Sequence, residues 1–413
     1  MAGFNLTEAS NILKVFYLPP VREMLNNSTI LLSRLEKDST TQDVSGKNFT
    51  IPLHTGRNLS AGIGRDEGGS LPTAGNQKYA NAIVPNKYIY GSVRVTGQVI
   101  AATKNNVGAF VRAIDSEMKG LLRDMKRDVN RQFHGNGTDA FAYWTGADDT
   151  SGTVVDDGNG YVFTHLPQGQ AITMDLIDAG DNATKRGDSI VVTLGNEAAT
   201  GFDITWTGTV TSSADGDYLV REDTLGYQMM GIEGIIDSGN PPLLSGGLHG
   251  IDATSAANAY WKAQVQGSDS SKVDLSFQNM QKVLSKIAIN SDFSESDVKF
   301  LLCSYQVRDK YVQLCTDERR FYNTMTLDGG FEAVSYNNKP LVPDSQCKHG
   351  RIYYIVPESL AIFRSADFDW MDRDGSVWDR VNGEDAYTAT LFHYGDLGCK
   401  ARNANGILKG ILE

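Results

Sequence analysis

The sequence predicts an α+β chain built around one long helix, with an extended arm before the helix and a small all-β module after it. Three observations predict this. Val107, Phe110, Val111, Ile114, Met118, Leu121, Leu122, Met125, Val129 and Phe133 recur at i, i+3, i+4 and i+7 spacing, the pattern of an amphipathic helix, for about seven turns. A Gly-rich extended stretch at 46–100 runs directly into that helix. Short alternating runs separated by Gly/Asp turn clusters fill 138–228, as strands and tight turns do.

Residues 1–45 read as an N-terminal extension, in which Thr7 caps a short amphipathic helix ending before Pro19 and Pro20. Residues 46–100 read as the arm. Phe49, Ile51 and Leu53 alternate with polar residues, and Val93, Val95 and Val99 do the same on the way back. Between them Gly56, Gly62, Gly64, Gly68, Gly69 and Gly75 dominate a tip that also carries Arg57, Arg65, Asp66, Glu67 and Lys78. So little apolar surface cannot offset the entropy of ordering such a segment as a core of its own. A long two-stranded hairpin that projects and meets another subunit is the economical reading. The alternative is an unstructured surface loop, which at this length is uncommon inside a compact domain.

Residues 101–137 hold the helix, from an N-cap at Thr103 to a stop at Gly135. At 1.5 Å per residue it is roughly 45 Å long. Phe110, Ile114, Met118, Leu121 and Met125 form its core-facing stripe, which makes it a structural spine. Arg112, Asp115, Lys119, Arg123, Asp124, Lys126, Arg127, Asp128 and Arg131 occupy the other face and read as solvated.

Residues 138–230 read as an inserted β module. Ile172, Met174, Ile190, Val192, Phe202, Ile204 and Trp206 would form its apolar interior, and Thr205, Thr207, Thr209 and Thr211 fall on the opposite face. Residues 231–385 are mixed α/β. Phe277, Met280, Val283, Leu284 and Ile287 fit a helix face, Val298–Cys303 and Ile352–Val356 read as buried strands, and a helix covers Tyr305–Leu314. Residues 386–413 alternate again and return as sheet.

Bulk composition bounds the rest. The 413 residues are 40% hydrophobic and 21% charged, ordinary for a soluble chain of two or three domains. No window is long and apolar enough for a membrane helix, and the N-terminus lacks a signal-peptide pattern. The net charge of −12 argues against nucleic-acid affinity over the whole surface, while allowing loose contact of one face. Cys303, Cys315, Cys347 and Cys399 show no paired spacing and read as free thiols.

A search for chemistry finds no phosphate-binding loop, dinucleotide fingerprint, nucleophile elbow or zinc motif. The six histidines are far apart and each reads as a surface or turn residue rather than a ligand. Asp372-Arg373-Asp374-Gly375 lacks the further ligands of a calcium loop and reads as a turn, as do Asp156 and Asp157. No catalytic residue, cofactor or metal is expected.

The order of segments resembles the major capsid proteins of tailed bacteriophages, a fold shared with herpesvirus and encapsulin shells. Two runs support the resemblance. Tyr336-Asn337-Asn338-Lys339-Pro340-Leu341-Val342-Pro343-Asp344 looks like the family's turn and strand before its late axial-domain strand, and Tyr394–Ile411 looks like its closing strands. The resemblance implies an N-terminal arm, an extended hairpin arm, a spine helix, an axial α/β domain and, here, an added β module. It also implies a structural protein of the virion, assembled in the host cytoplasm into pentamers and hexamers around double-stranded DNA. The implied partners are further copies of the chain, a separate scaffolding protein, a portal, a decoration protein and loosely held DNA, with no membrane. Arg57, Arg65, Asp66, Glu67 and Lys78 are then expected to make inter-subunit contacts. Lys47, Lys78 and Lys87 match no crosslinking motif. The competing readings are an encapsulin-like compartment, a β-rich surface or adhesin protein, and a hydrolase using acidic residues.

Overall fold

The computed structural model describes residues 29–38, 40–43, 46–98, 107–145, 149, 152–156, 161–162, 164–198, 201–317, 324–326, 332–372 and 375–413. The short helix expected from Thr7 and the cap at Thr103 lie outside these residues, as do Val99 and the side chains of Phe110 and Ile114.

In chain order, a helix (Ile30–Asp38) precedes β1 (Thr40–Asp43), β2 (Asn48–Gly56), β3 (Lys78–Pro85) and β4 (Lys87–Thr96). The long helix is observed over Val107–His134, 28 residues. Strands β5 (Ala142–Thr145), β6 (Gly152–Val155), β7 (Ala171–Ile177), β8 (Lys185–Ala198), β9 (Gly201–Thr207) and β10 (Tyr218–Arg221) then close into a barrel in the order β10-β5-β6-β9-β8-β7. Beyond it come β11 (Gln264–Gln266), a helix (Phe277–Asn290), β12 (Phe300–Cys303), a helix (Tyr305–Asp317), β13 (Thr324–Thr326), β14 (Glu332–Tyr336), β15 (Lys339–Pro343) and β16 (Ile352–Ile355). The chain finishes with β17 (Leu360–Trp370), β18 (Asp379–Arg380), β19 (Ala386–Cys399) and β20 (Gly406–Leu408).

A seven-stranded mixed sheet, β11-β20-β16-β12-β15-β14-β13, is covered on both faces. Leu301, Cys303, Ile352, Tyr354 and Leu408 point into one cluster with Met280, Val283, Leu284 and Ile287 of the Phe277–Asn290 helix. Phe300, Leu302, Tyr353, Ile355 and Ile407 point the other way, into a cluster with Met125, Val129 and Phe133 of the long helix. Burial on both faces is why β12 and β16 read as continuous apolar runs rather than alternating ones. Asn337 and Asn338, at φ +48° and +60°, make the two-residue turn between β14 and β15, a conformation Asn tolerates better than most side chains.

A second sheet runs β1-β17-β19-β18, with β4 also on β19. Here the structure corrects the expected arm. Val93 and Val95 do not return toward Phe49; they sit in β4, in register with β19 from Lys87↔Gly395 to Thr96↔Ala386. The true return strand is β3, paired with β2 from Asn48↔Pro85 to Gly56↔Lys78. Both segments alternate, so periodicity alone could not choose the partner. The long helix lies against this second sheet, and a Cβ on Gly91 would come within 3.1 Å of Leu121, so a glycine lets the helix approach. Of the expected stripe, Met125 is buried while Met118 and Leu121 are half-buried.

The barrel has its own interior. Trp144, Met174, Leu176, Ile190, Val192, Leu194, Ile204 and Leu219 are buried together, with Ile172, Phe202 and Trp206 partly buried against them. All seven residues expected in that interior are in it. Trp144 and Trp206 meet edge to face at 5.0 Å, and Gly152 makes room, since a Cβ there would lie 2.7 Å from the Trp144 ring. Thr205 and Thr207 face solvent.

Candidate functional site

The hairpin and its surroundings form the first candidate surface. Its base is anchored: Phe49 stacks on Phe363 at 5.4 Å, and Phe49 and Val84 are buried with Ala361 and Phe363. His249 fastens it further. Its carbonyl accepts the Ile83 N–H at 2.8 Å, and its Nε2 accepts the Cys399 N–H at 3.1 Å. Burial, helped by the nearby Arg402 cation, lowers the His249 pKa to about 3, which suits a neutral ring accepting a hydrogen bond.

Beyond Gly56 the ladder ends. The tip is held by its own polar groups: Asn58 Nδ2 donates to the Gly75 carbonyl at 3.0 Å, and the Gly75 N–H donates to Ser60 Oγ at 3.3 Å. Leu59 and Leu71 are 87% and 89% exposed. Arg57, Arg65, Asp66, Glu67 and Lys78 are also exposed. None of these five forms an ion pair among the described residues. The structure therefore gathers all five expected contact residues on one projecting element.

A groove of about 680 Å³ lies between the long helix, β4 and the barrel. Ile89, Leu121, Met125, Phe141, Leu166 and Ile172 supply its apolar wall, with Arg127 and Gln170 at its polar margin.

The joint between helix and barrel was not legible from the sequence. Asp128 and Arg131 were expected on a solvated face, yet Arg131 is buried. It donates to Asp128 at 2.9 Å and also bonds the buried Asp139. Arg221 at the end of β10 donates to Asp128 at 2.9 Å and to Asp139 at 3.1 Å. The Phe141 ring lies under both guanidiniums, 4.0 Å from Arg131 and 5.2 Å from Arg221. Burial alone would raise the Asp128 carboxyl, but the two arginines outweigh it and hold the group ionised.

A second cluster continues the joint. Glu233 accepts from Lys348 at 2.9 Å and from Arg351 at 2.6 Å, and Arg351 also donates to Asp269 at 2.7 Å. Burial opposes ionisation of Glu233, but Lys348 and Arg351 win and bring its pKa to about 2. Asp156, expected to be a turn residue only, reaches into the mixed domain and accepts the His349 N–H at 2.8 Å. Of the histidines expected at the surface or in turns, His249 and His349 do lie in turns but are buried, and His134 and His393 are buried in the long helix and β19. His134, His249 and His349 each bond segments far apart in sequence, a role no local spacing announces. Arg402, fully buried, donates to the carbonyls of Ile235 and Gly239, each at 2.7 Å, and ties the closing segment to the barrel's exit. Of the expected Asp372–Gly375 turn, Arg373 and Asp374 lie outside the described residues, and the Gly375 N–H donates to Asp372 at 2.9 Å.

The four cysteines are free and buried. Among the described residues no group of three or more His, Cys, Asp or Glu is placed to hold a metal ion, and no helix is long and apolar enough to cross a membrane.

No protein-family model matches the chain, and no curated protein matches it either. Solved structures do. A chain of the cyanophage A-1(L) capsid superposes with a TM-score of 0.62 at 12% identity, covering 98% of both chains. A chain of the native GTA particle capsid superposes with a TM-score of 0.51 at 8% identity, covering both chains completely. The holo-SrpI encapsulin of Synechococcus elongatus aligns over 100% of this chain and 96% of its own at 9% identity, with a TM-score of 0.46. Over essentially its whole length, this chain has the phage capsid fold.

Proposed function

We propose that the chain is a major capsid protein that assembles with copies of itself into the pentamers and hexamers of an icosahedral shell enclosing the double-stranded DNA of a tailed phage. The observation that carries this reading is the end-to-end likeness to a cyanophage capsid subunit, joined to a hairpin tip that buries almost nothing within its own chain. A shell needs heterologous contacts that close, one patch of each subunit meeting a different patch of the next. A projecting tip and a groove on the flank of the long helix are two such unlike patches. The long helix acts as the spine between them. No catalytic role is assigned to any residue; the chemistry is that of surfaces. A separate scaffolding protein, a portal and a decoration protein are the further partners of this reading, and the packaged DNA is held loosely by a subunit whose net charge is −12.

Electron microscopy of the purified chain, with nuclease digestion of its contents, tests the proposal. Closed shells that package DNA in the presence of the other virion components support it. Shells that hold a protein cargo and no nucleic acid indicate an encapsulin-like compartment instead. A chain that stays monomeric under all assembly conditions refutes both.

A further inference from the structure

Where the long helix ends and the barrel's exit segment passes it, a small cavity of about 40 Å³ remains. His134 and Gln228 both line it, and they are 4% and 6% exposed. Each brings a buried polar atom with no protein partner, Nδ1 of His134 and Oε1 of Gln228. Leaving a buried polar atom unpaired is costly, so two on residues lining one cavity point to a ligand. We infer that this cavity is a binding site for an ordered water molecule that bridges His134 Nδ1 and Gln228 Oε1.

The chemistry of the two atoms selects the ligand. Nε2 of His134 sits 3.1 Å from Oδ2 of Asp344. That carboxylate also accepts from the N–H of Leu31 at 3.3 Å and from the N–H of Gln346 at 3.0 Å. Surrounded by donors, Asp344 is ionised, so Nε2 carries the imidazole proton. In the neutral ring Nδ1 is then a bare acceptor, as is the amide oxygen of Gln228. Two acceptors need a ligand with two donors. Water has two, and it also serves a doubly protonated His134 by accepting from Nδ1 and donating to Gln228.

Ions fit poorly. An anion cannot satisfy the Gln228 oxygen. A cation would meet Arg131 and Lys348, which also line the cavity. Those two charges are themselves answered, by Asp139 and Glu233, so the cavity calls for a neutral guest. The volume matches too: a water needs roughly 10–15 Å³ of such space, and the cavity offers about 40 Å³. The bridge would link the barrel's exit, the end of the long helix and, through Asp344, the N-terminal helix. This inference does not depend on the assembly reading.

The test is an experimental structure of the full chain at a resolution where buried solvent is visible, read together with 15N shifts of the His134 ring. The expected result is a solvent peak within hydrogen-bond distance of both atoms, with the proton on Nε2 in the neutral ring. An empty cavity, a halide peak in crystals grown with bromide, or a direct contact of His134 Nδ1 with a protein atom would overturn the inference.

Discussion

The hairpin and the barrel look alike in composition and differ in what they complete. Both are rich in glycine and polar residues, and both are built from antiparallel strands. The barrel closes on itself, so its strands have partners on both sides and its alternating residues fill a private interior. The hairpin has two strands and no closure. Its base borrows Phe363 and Ala361 from the second sheet, and its tip has nothing beneath it. An isolated two-stranded hairpin is marginal in water, and the proposed assembly would give this one a cover outside the chain. The lesson is that glycine content does not separate a self-sufficient module from a reaching one; the count of inward-facing apolar residues does.

The comparison can be broken most forcefully inside the barrel. Trp144→Ala empties a fully buried site and should cost about 3–5 kcal/mol, read as a lowered denaturant midpoint. A change near zero would mean that the interior is not the barrel's support. Next comes the joint. Asp139→Ala leaves Arg131 and Arg221 with Asp128 as the carboxylate they still share, and removing one partner from a buried cluster in this way costs up to about 3–5 kcal/mol. The barrel should then become sensitive to proteases at its two connections before the body unfolds. A third test separates the barrel outright: residues 138–230 expressed alone should unfold cooperatively and give dispersed amide signals. A disordered fragment would mean that the strands need the rest of the chain.

Acidity should separate barrel from body. Asp181 in the barrel is held near a pKa of about 2 by the Thr184 hydroxyl and by the Thr184 and Ala183 N–H groups. A lowered carboxyl contributes stability above its unfolded value of about 3.9, lost as the pH falls below it. Asp396 on β19 behaves oppositely. Burial raises its pKa to about 7 against the Met230 and Leu397 N–H donors, so its contribution is greatest below pH 4 or so and is lost as the pH rises toward 7. Asp396→Asn should therefore flatten the pH dependence of unfolding between those limits and leave the acid limb in place. An unchanged slope would contradict it. The smallest effect on the isolated chain is expected from Leu59→Ser with Leu71→Ser, which should leave melting within about 0.5 kcal/mol, as surface changes do.

Much of this was legible in the sequence because it was periodic. The long helix, the barrel strands and their seven interior residues follow from local spacing, as do the buried strands β12 and β16. What could not be read was pairing. Lys78–Pro85 and Lys87–Thr96 alternate equally well, and only the three-dimensional register assigns the first to the hairpin and the second to β19. The joint was hidden for the same reason. Asp128, Asp139, Arg221, Glu233 and Lys348 are ordinary charges in sequence, and their burial becomes visible only when segments far apart in the chain meet. The exposure of the five charged residues of the tip could be read because the segment holding them is so poor in apolar side chains.

The central claim is that the hairpin tip works between copies of the chain while the barrel is complete within one. Excision of residues 57–77 with a short turn in their place tests this most directly, with melting and shell formation measured on the same preparation. The account predicts a monomer melting within a degree or two of the parent, since the tip buries little and surface changes cost about 0.5 kcal/mol, together with loss of closed shells by electron microscopy. A destabilised monomer that still builds normal shells would contradict it.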